Sequence, residues 1–191
     1  INVVTEDPND ANILYVGTDL GVYVSLDRGS SWQGLMGDLP TTPVYDLRVH
    51  PRDPELVAGT HGRGAFVLDL TAVRAYRAIR GSTHLFPIAP AVRPRGRQPA
   101  PYRHGATSGE AVLRYAVAAA GPVTITIFDS AGTVVDEFGG TARAGVNVAR
   151  WNLLPAGAMP TTGAFDRPAA WVEPGTYRVR IETAGGRDES V

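Results

Sequence analysis

The sequence predicts an all-β chain built from two different parts. Three observations carry this. Short runs rich in Val, Ile, Tyr and Thr are bounded throughout by Gly, Asp, Asn and Pro. The first seventy residues repeat themselves at a spacing of 42 or 43. From Glu110 onward a second set of alternating apolar runs follows with no sign of that repeat. The chain has 191 residues, of which 43% are hydrophobic, enough to fill a core. It has no Cys, which removes disulfides, thiolate metal sites and cysteine nucleophiles. A net charge of -1 speaks against a globally charged binder of nucleic acid or membrane.

The repeat is read from Asp7–Val24 against His50–Val67. Pro8 matches Pro51, Gly17 and Thr18 match Gly59 and Thr60, Gly21 matches Gly64, and Tyr23 matches Phe66. The first copy offers strands at Ile1–Thr5, Ile13–Gly17, Gly21–Leu26 and Trp32–Leu35. The second offers Val44–Val49, Glu55–Gly59 and Ala65–Asp69, with His84–Ile88 as candidate for a fourth. A period near 43 made of four short strands has the size of a β-propeller blade. Two blades do not close a ring, and repeats of this kind need neighbours to bury their faces. Together with a start at Ile1 inside a strand-like run, this gives the expectation that the chain is part of a longer protein.

Between the third and fourth strands of the first copy lies SLDRGSSW. Its Asp27 is placed to accept hydrogen bonds from its own turn, Gly29 to take a positive φ, and Trp32 to serve as an apolar anchor under the hairpin. The segment resembles the Asp box, S-x-D-x-G-x-[ST]-W, of the bacterial neuraminidase repeat (BNR) propellers. All five defined positions match: Ser25, Asp27, Gly29, Ser31 and Trp32. The surrounding YVGTDLGVYVSLDRGSSW and LPTTPVYDLRVHPRDPELVAGTHGRGAFVLDL look like the closing blades of sortilin-type and BNR propellers, found in bacterial proteins labelled glycosyl hydrolase. The resemblance implies a structural box away from the central site and a secreted, periplasmic or cell-surface bacterial parent. An Ala-, Gly-, Arg- and Pro-rich composition without Lys fits such a source. The second copy departs from the pattern, running from Leu68 through Leu70 into Thr71 with neither box Gly nor Trp. It is read as the last blade.

Residues 71–109 read as a connector. From Leu70 to Gly109 there is no acid but seven Arg, and Pro87, Pro90, Pro94, Pro99 and Pro101 favour an extended chain. Leu70, Val73, Tyr76 and Ile79 recur every third residue, predicting a short helix started by Asp69 or Thr71 and ended by Gly81, with Arg74, Arg77 and Arg80 as an exposed stripe. Domain boundaries are therefore set at 1–70, 71–109 and 110–191.

The last part predicts a small antiparallel sandwich with strands at Ala111–Ala118, Val123–Asp129, Thr133–Phe138, Val146–Trp151 and Gly175–Thr183. VTITIFDSAGTVV, AGVNVARWNL and PGTYRVRI resemble the Ig-like domain of the flagellar hook-capping protein (FlgD-like). That resemblance implies a buried Trp151 and a turn at Pro174–Gly175. Pro155–Glu173 reads as an excursion between strands, and a final strand is expected beyond Val191.

No catalytic set emerges. His50, His61, His84 and His104 are dispersed without metal-ligand spacing, and no nucleophile elbow or paired-acid motif occurs. Gly59–Phe66 is Gly-rich but lacks the helix behind it that a phosphate loop needs, so it reads as a turn. No metal or cofactor is expected. Asp19 and the pair His61 and Arg63 hold matching positions in the two copies. They are either contacts to a sugar or peptide on the propeller face or plain exposed turns, and Asp46 either lines the channel or caps a turn.

The expected function is thus a non-catalytic binding or scaffolding segment, partnered by the remaining blades of a parent chain and by a glycan or peptide. The alternative is the scaffold part of a propeller glycoside hydrolase whose two carboxylates lie outside this segment. A polyanion-binding role for the Arg-rich connector is the third reading, and neither nucleic acid nor membrane is the expected partner.

Overall fold

The computed structural model describes residues 1–35, 39–79, 81–92, 109–158 and 171–191. It forms two compact units, Ile1–Ala78 and Ile79–Val191. Both are built from antiparallel sheets, with one α-helix among the described residues.

In the first unit, β1 (Val3–Asp7), β2 (Asp10–Thr18), β3 (Gly21–Ser25) and β4 (Gln33–Gly34) pair in chain order as one sheet. A second sheet follows from β5 (Val44–Val49), β6 (Glu55–Thr60) and β7 (Ala65–Asp69). Strand alternation sends Ile13 and Tyr15 of β2 and Val22 and Val24 of β3 to one face. There they share a core with Val44, Leu47, Leu56, Ala58 and Leu68 of the second sheet. Gly17 sits at the tightest point. A Cβ there would lie 2.8 Å from the Val44 carbonyl oxygen and 2.9 Å from Val44 Cγ1, so only glycine lets β5 approach.

The two copies turn alike. Thr18 Oγ1 donates to the Gly21 carbonyl at 3.1 Å, and Thr60 Oγ1 donates to the Gly64 carbonyl at 2.6 Å. The second turn carries His61, Gly62 and Arg63 where the first has Asp19 and Leu20. That one added residue is why the repeat spacing changes from 42 to 43 across it.

Helix α1 (Thr71–Ile79) follows β7 directly. Asp69 Oδ1 accepts the Thr71 N–H at 2.8 Å at its start, and Gly81 stands past its end with φ +92°. Ala72, Val73 and Tyr76 are buried beside Leu70. The Arg stripe needs correction here. Arg74 is not exposed but reaches into the unit, its Nε 3.0 Å from Asp7 Oδ2 and its Nη1 3.3 Å from the Asp53 carbonyl. The side chains of Arg77 and Arg80 lie outside the described residues, as does the 93–108 stretch of the connector.

The second unit comprises β8 (His84–Leu85), β9 (Ala111–Val117), β10 (Gly121–Phe128), β11 (Val134–Ala142), β12 (Gly145–Trp151), β13 (Arg178–Thr183) and β14 (Gly186–Ser190). They form sheets ordered β11-β10-β13-β14 and β12-β9-β8. Leu113, Tyr115 and Val117 of one sheet meet Val123, Ile125, Ile127, Val179 and Ile181 of the other. Trp151 is buried among them, donating from Nε1 to the Leu154 carbonyl at 3.0 Å and meeting the Tyr177 ring edge-on at 5.4 Å.

One expectation is overturned in this unit. His84–Ile88 gives no fourth strand to the second repeat, because His84 and Leu85 pair with Ala116 and Tyr115 of β9. Of the 71–109 stretch, the helix through Ala78 groups with the first unit and the short strand His84–Leu85 with the second. A strand that the sequence reading did not place is Gly186–Ser190, an edge strand of polar residues with no apolar alternation to betray it. The excursion expected at 155–173 falls mostly outside the described residues, which resume at Trp171.

Arg74 gives the first test. Arg74→Met leaves the buried Asp7 carboxylate without its cation. It is expected to cost about 3 kcal/mol of first-unit stability, measured by urea unfolding through Trp32 fluorescence in a Trp151→Phe, Trp171→Phe background.

Candidate functional site

The strand directions sort the candidate residues to two ends of the first unit. One end holds the β2–β3 and β6–β7 turns with the starts of β1 and β5. The other holds the β1–β2 turn and the segment Ser25–Trp32.

Asp19, His61, Arg63 and Asp46 all belong to the first end. Asp19 Oδ1 accepts a bond from Asn2 Nδ2 at 3.0 Å, and the same amide donates to the Val44 carbonyl at 3.3 Å. The first turn is thereby tied to the first strand of the second copy. His61 donates its backbone N–H to the Pro43 carbonyl at 2.9 Å, and its ring stands edge-on to Tyr45 at 5.7 Å. Asp46 sits at an irregularity in the β5–β6 register, on the outward face of the second sheet, paired with Arg48 at 3.4 Å. Among the described residues no hydrogen bond or ion pair joins Asp19 to His61 or Arg63.

What this end offers is a cluster of exposed contacts. It has a carboxylate held by an amide, an imidazole against a phenol ring, a guanidinium on a three-residue turn, and the exposed Leu20. Such a mixture suits hydrogen bonding and ring stacking to a sugar or peptide. Tyr45 is the member that sequence reading missed. Its only signal is an aromatic residue on a strand position flanked by Pro43 and Asp46, and the alternation it would have obeyed is broken by the bulge.

The opposite end carries the box, closed upon itself. Ser25 Oγ donates to Asp27 Oδ1 at 2.8 Å and accepts the Gly29 N–H at 2.7 Å. Asp27 then accepts the Ser31 N–H at 2.8 Å and the Ser31 hydroxyl at 2.6 Å. Arg28 and Gly29 take φ of 58° and 88° to bend the loop. Trp32 is not the buried anchor expected of it. It is 42% exposed, lying over Gly29 with Nε1 donating to the Gly29 carbonyl at 3.1 Å. These bonds are all local, so the box shapes a loop.

The remaining His also serve structure. His50 Nδ1 accepts the Asp53 N–H at 2.9 Å, and His84 Nδ1 lies 3.0 Å from Asp188 Oδ2. His104 lies outside the described residues. Among the described residues no group of three or more His, Asp or Glu is arranged to hold a metal ion. In the second unit, a groove of about 920 Å³ opens along Trp151, Trp171, Tyr177, Ile88 and Val191.

The bond set on Asp27 sets a pH test. The Ser31 hydroxyl, the Ser31 N–H and the Ser25 hydroxyl hold its carboxyl down from the ordinary 3.8 to about 2. A depressed carboxyl contributes stability that is complete above the ordinary value and lost as pH falls through the lowered one. The native chain is therefore expected to lose more stability between pH 3.8 and about 2 than Asp27→Asn, which has nothing to titrate there. At neutral pH, Asp27→Ala should cost about 1 kcal/mol, the low value suited to an open loop. Both are read by thermal unfolding followed at Trp32.

No family model, no curated protein and no solved structure matches this chain.

Proposed function

We propose that the first unit is a pair of adjoining propeller blades of the BNR type and that the chain is a non-catalytic binding or scaffolding segment. Its contact surface is the end carrying Asn2, Asp19, Tyr45, His61 and Arg63, and its ligand is a glycan or peptide. The observation that carries the reading is the convergence of matching turns. Two copies of one repeat bring different polar and aromatic side chains to the same end, while the box and its bonds occupy the other. A sheet of four strands paired in chain order, a second sheet packed face to face on it and a glycine at the closest approach all support blades.

In this reading the ring is completed by further sheets of the same repeat, those of a secreted or cell-surface parent. The second unit, with its paired antiparallel sheets and buried Trp151, is an Ig-like module suited to attachment.

The test is a glycan and peptide array on the purified chain, followed by titration of any hit. Binding without turnover is expected. Tyr45→Ala and His61→Ala should each weaken it about tenfold, the loss of roughly one good contact. Hydrolysis of the bound glycan that is abolished by Asp19→Asn or Asp46→Asn would replace this reading with an enzymatic one.

A further inference from the structure

The two sheets of the first unit are not finished alike. The first has four strands, and β4 closes its rim: Val24 pairs with Gln33, and the Val22 carbonyl accepts the Leu35 N–H at 2.8 Å. The second has three, and β7 is its rim. The counterparts of Val22 and Val24 on β7 are Ala65 and Val67, given the match of Gly21 with Gly64 and of Tyr23 with Phe66. Bonding along an antiparallel pair alternates. The Gly64 carbonyl accepts the Thr60 N–H at 3.0 Å, the Pro54 carbonyl accepts the Leu70 N–H at 2.7 Å, and the register between β6 and β7 runs without a shift. Gly64, Phe66, Leu68 and Leu70 therefore bond toward β6. The N–H and C=O groups of Ala65 and Val67 point away from the sheet, where those of Val22 and Val24 meet β4.

Folded proteins blunt an open rim with Pro, charge or a bulge. Ala65–Leu68 has none of the three: it reads AFVL, and its register is regular. Ala65 and Val67 are exposed. Charge stands only at the two ends, with exposed Arg63 before the strand and exposed Asp69 closing it. Laid antiparallel on itself about Phe66, the strand sets Ala65 against Val67 twice and Arg63 against Asp69 twice. Outward-pointing backbone groups then meet outward-pointing groups, and opposite charges meet at both ends. The two Phe66 rings face each other at the axis, in the closer kind of cross-strand pair. Laid parallel, the same strands would set Arg63 beside Arg63 and Asp69 beside Asp69.

We infer that β7 is the pairing edge for a second copy of this chain, β7 against β7, antiparallel and closed by a two-fold axis. Two three-stranded sheets become one sheet of six with no open edge at the seam. The occupant follows from the self-match, since one strand carries both halves of every contact, its charges included. The pairing uses the rim, so both faces of the second sheet stay available to neighbouring sheets. It does not rest on the ligand reading. Asp69 keeps its Oδ1 on the Thr71 N–H that starts α1. A seam one strand long is small beside a standard interface, so association is expected at high micromolar concentration.

The experiment is sedimentation equilibrium of the full chain from low to high micromolar concentration. The mass is expected to rise toward two chains and to stop there. Val67→Pro removes an outward N–H that β6 does not use and sets a ring on the rim, where Pro is tolerated. It should raise the dissociation constant about tenfold or more while the chain still unfolds cooperatively. Arg63→Glu and Asp69→Lys should each weaken association alone. A mixture of the two should pair again, since each chain then offers the charge the other lacks. Val148→Pro, on the rim strand β12 of the second unit, should change nothing. A native chain that stays monomeric at every concentration overturns the proposal. So does association that grows past two chains, ignores Val67→Pro, fails to return in the mixture, or is abolished by Val148→Pro. Glycan or peptide binding by the Val67→Pro monomer is read separately, so a failure of pairing and a failure of the ligand reading are told apart.

Discussion

One buried carboxylate holds the first unit together. Asp7 ends β1, and its Oδ1 accepts the Asn9 N–H at 2.9 Å to form the turn into β2. Its Oδ2 receives the Tyr15 hydroxyl at 2.9 Å from the core strand and Arg74 Nε from the helix. Tyr15 is fully buried, and burial first, then the bond to Asp7, drives its phenol far above the ordinary range, so it stays a donor. Arg74 meanwhile reaches the Asp53 carbonyl in the corresponding turn of the second copy. Hairpin, core, helix and second sheet thus converge on one charge pair. A buried charge is tolerable only when paired and bonded in this way.

Much of this was legible in the sequence, for physical reasons. The repeat could be read because the Thr-closed turns end on glycines of positive φ, so Thr18 and Gly21 align with Thr60 and Gly64. The box could be read because its bonds span four residues or fewer. The sandwich strands could be read from period-two alternation, as in Tyr177, Val179 and Ile181. The helix was visible for the same reason, in the three-residue spacing of Leu70, Val73 and Tyr76.

What escaped was long-range or patternless. Arg74 looked like one of a solvated stripe because its partner lies 67 residues away. His84–Leu85 is two residues long and becomes a strand only through β9 and through Asp188, which accepts the Leu85 N–H at 2.9 Å. Thr83 meets Thr183 across the same seam at 2.7 Å. Of the candidate site, the matching turns made the shared position of Asp19, His61 and Arg63 readable, but the bulge hid Tyr45 and turned Asp46 outward.

The contrast between the box and the charge pair has a kinetic meaning. A loop whose bonds join Ser25, Asp27, Gly29 and Ser31 pays almost no closure entropy, so it can form as soon as those residues are free to turn. The Asp7–Arg74 clasp must instead wait until two sheets and a helix are in place. The first unit thus has a built-in order of assembly, in which a local knot starts the first sheet and the arrival of the helix seals the second sheet against it. A ribosome delivering the chain from its N-terminus would meet the knot early and the seal only after residue 74 has emerged.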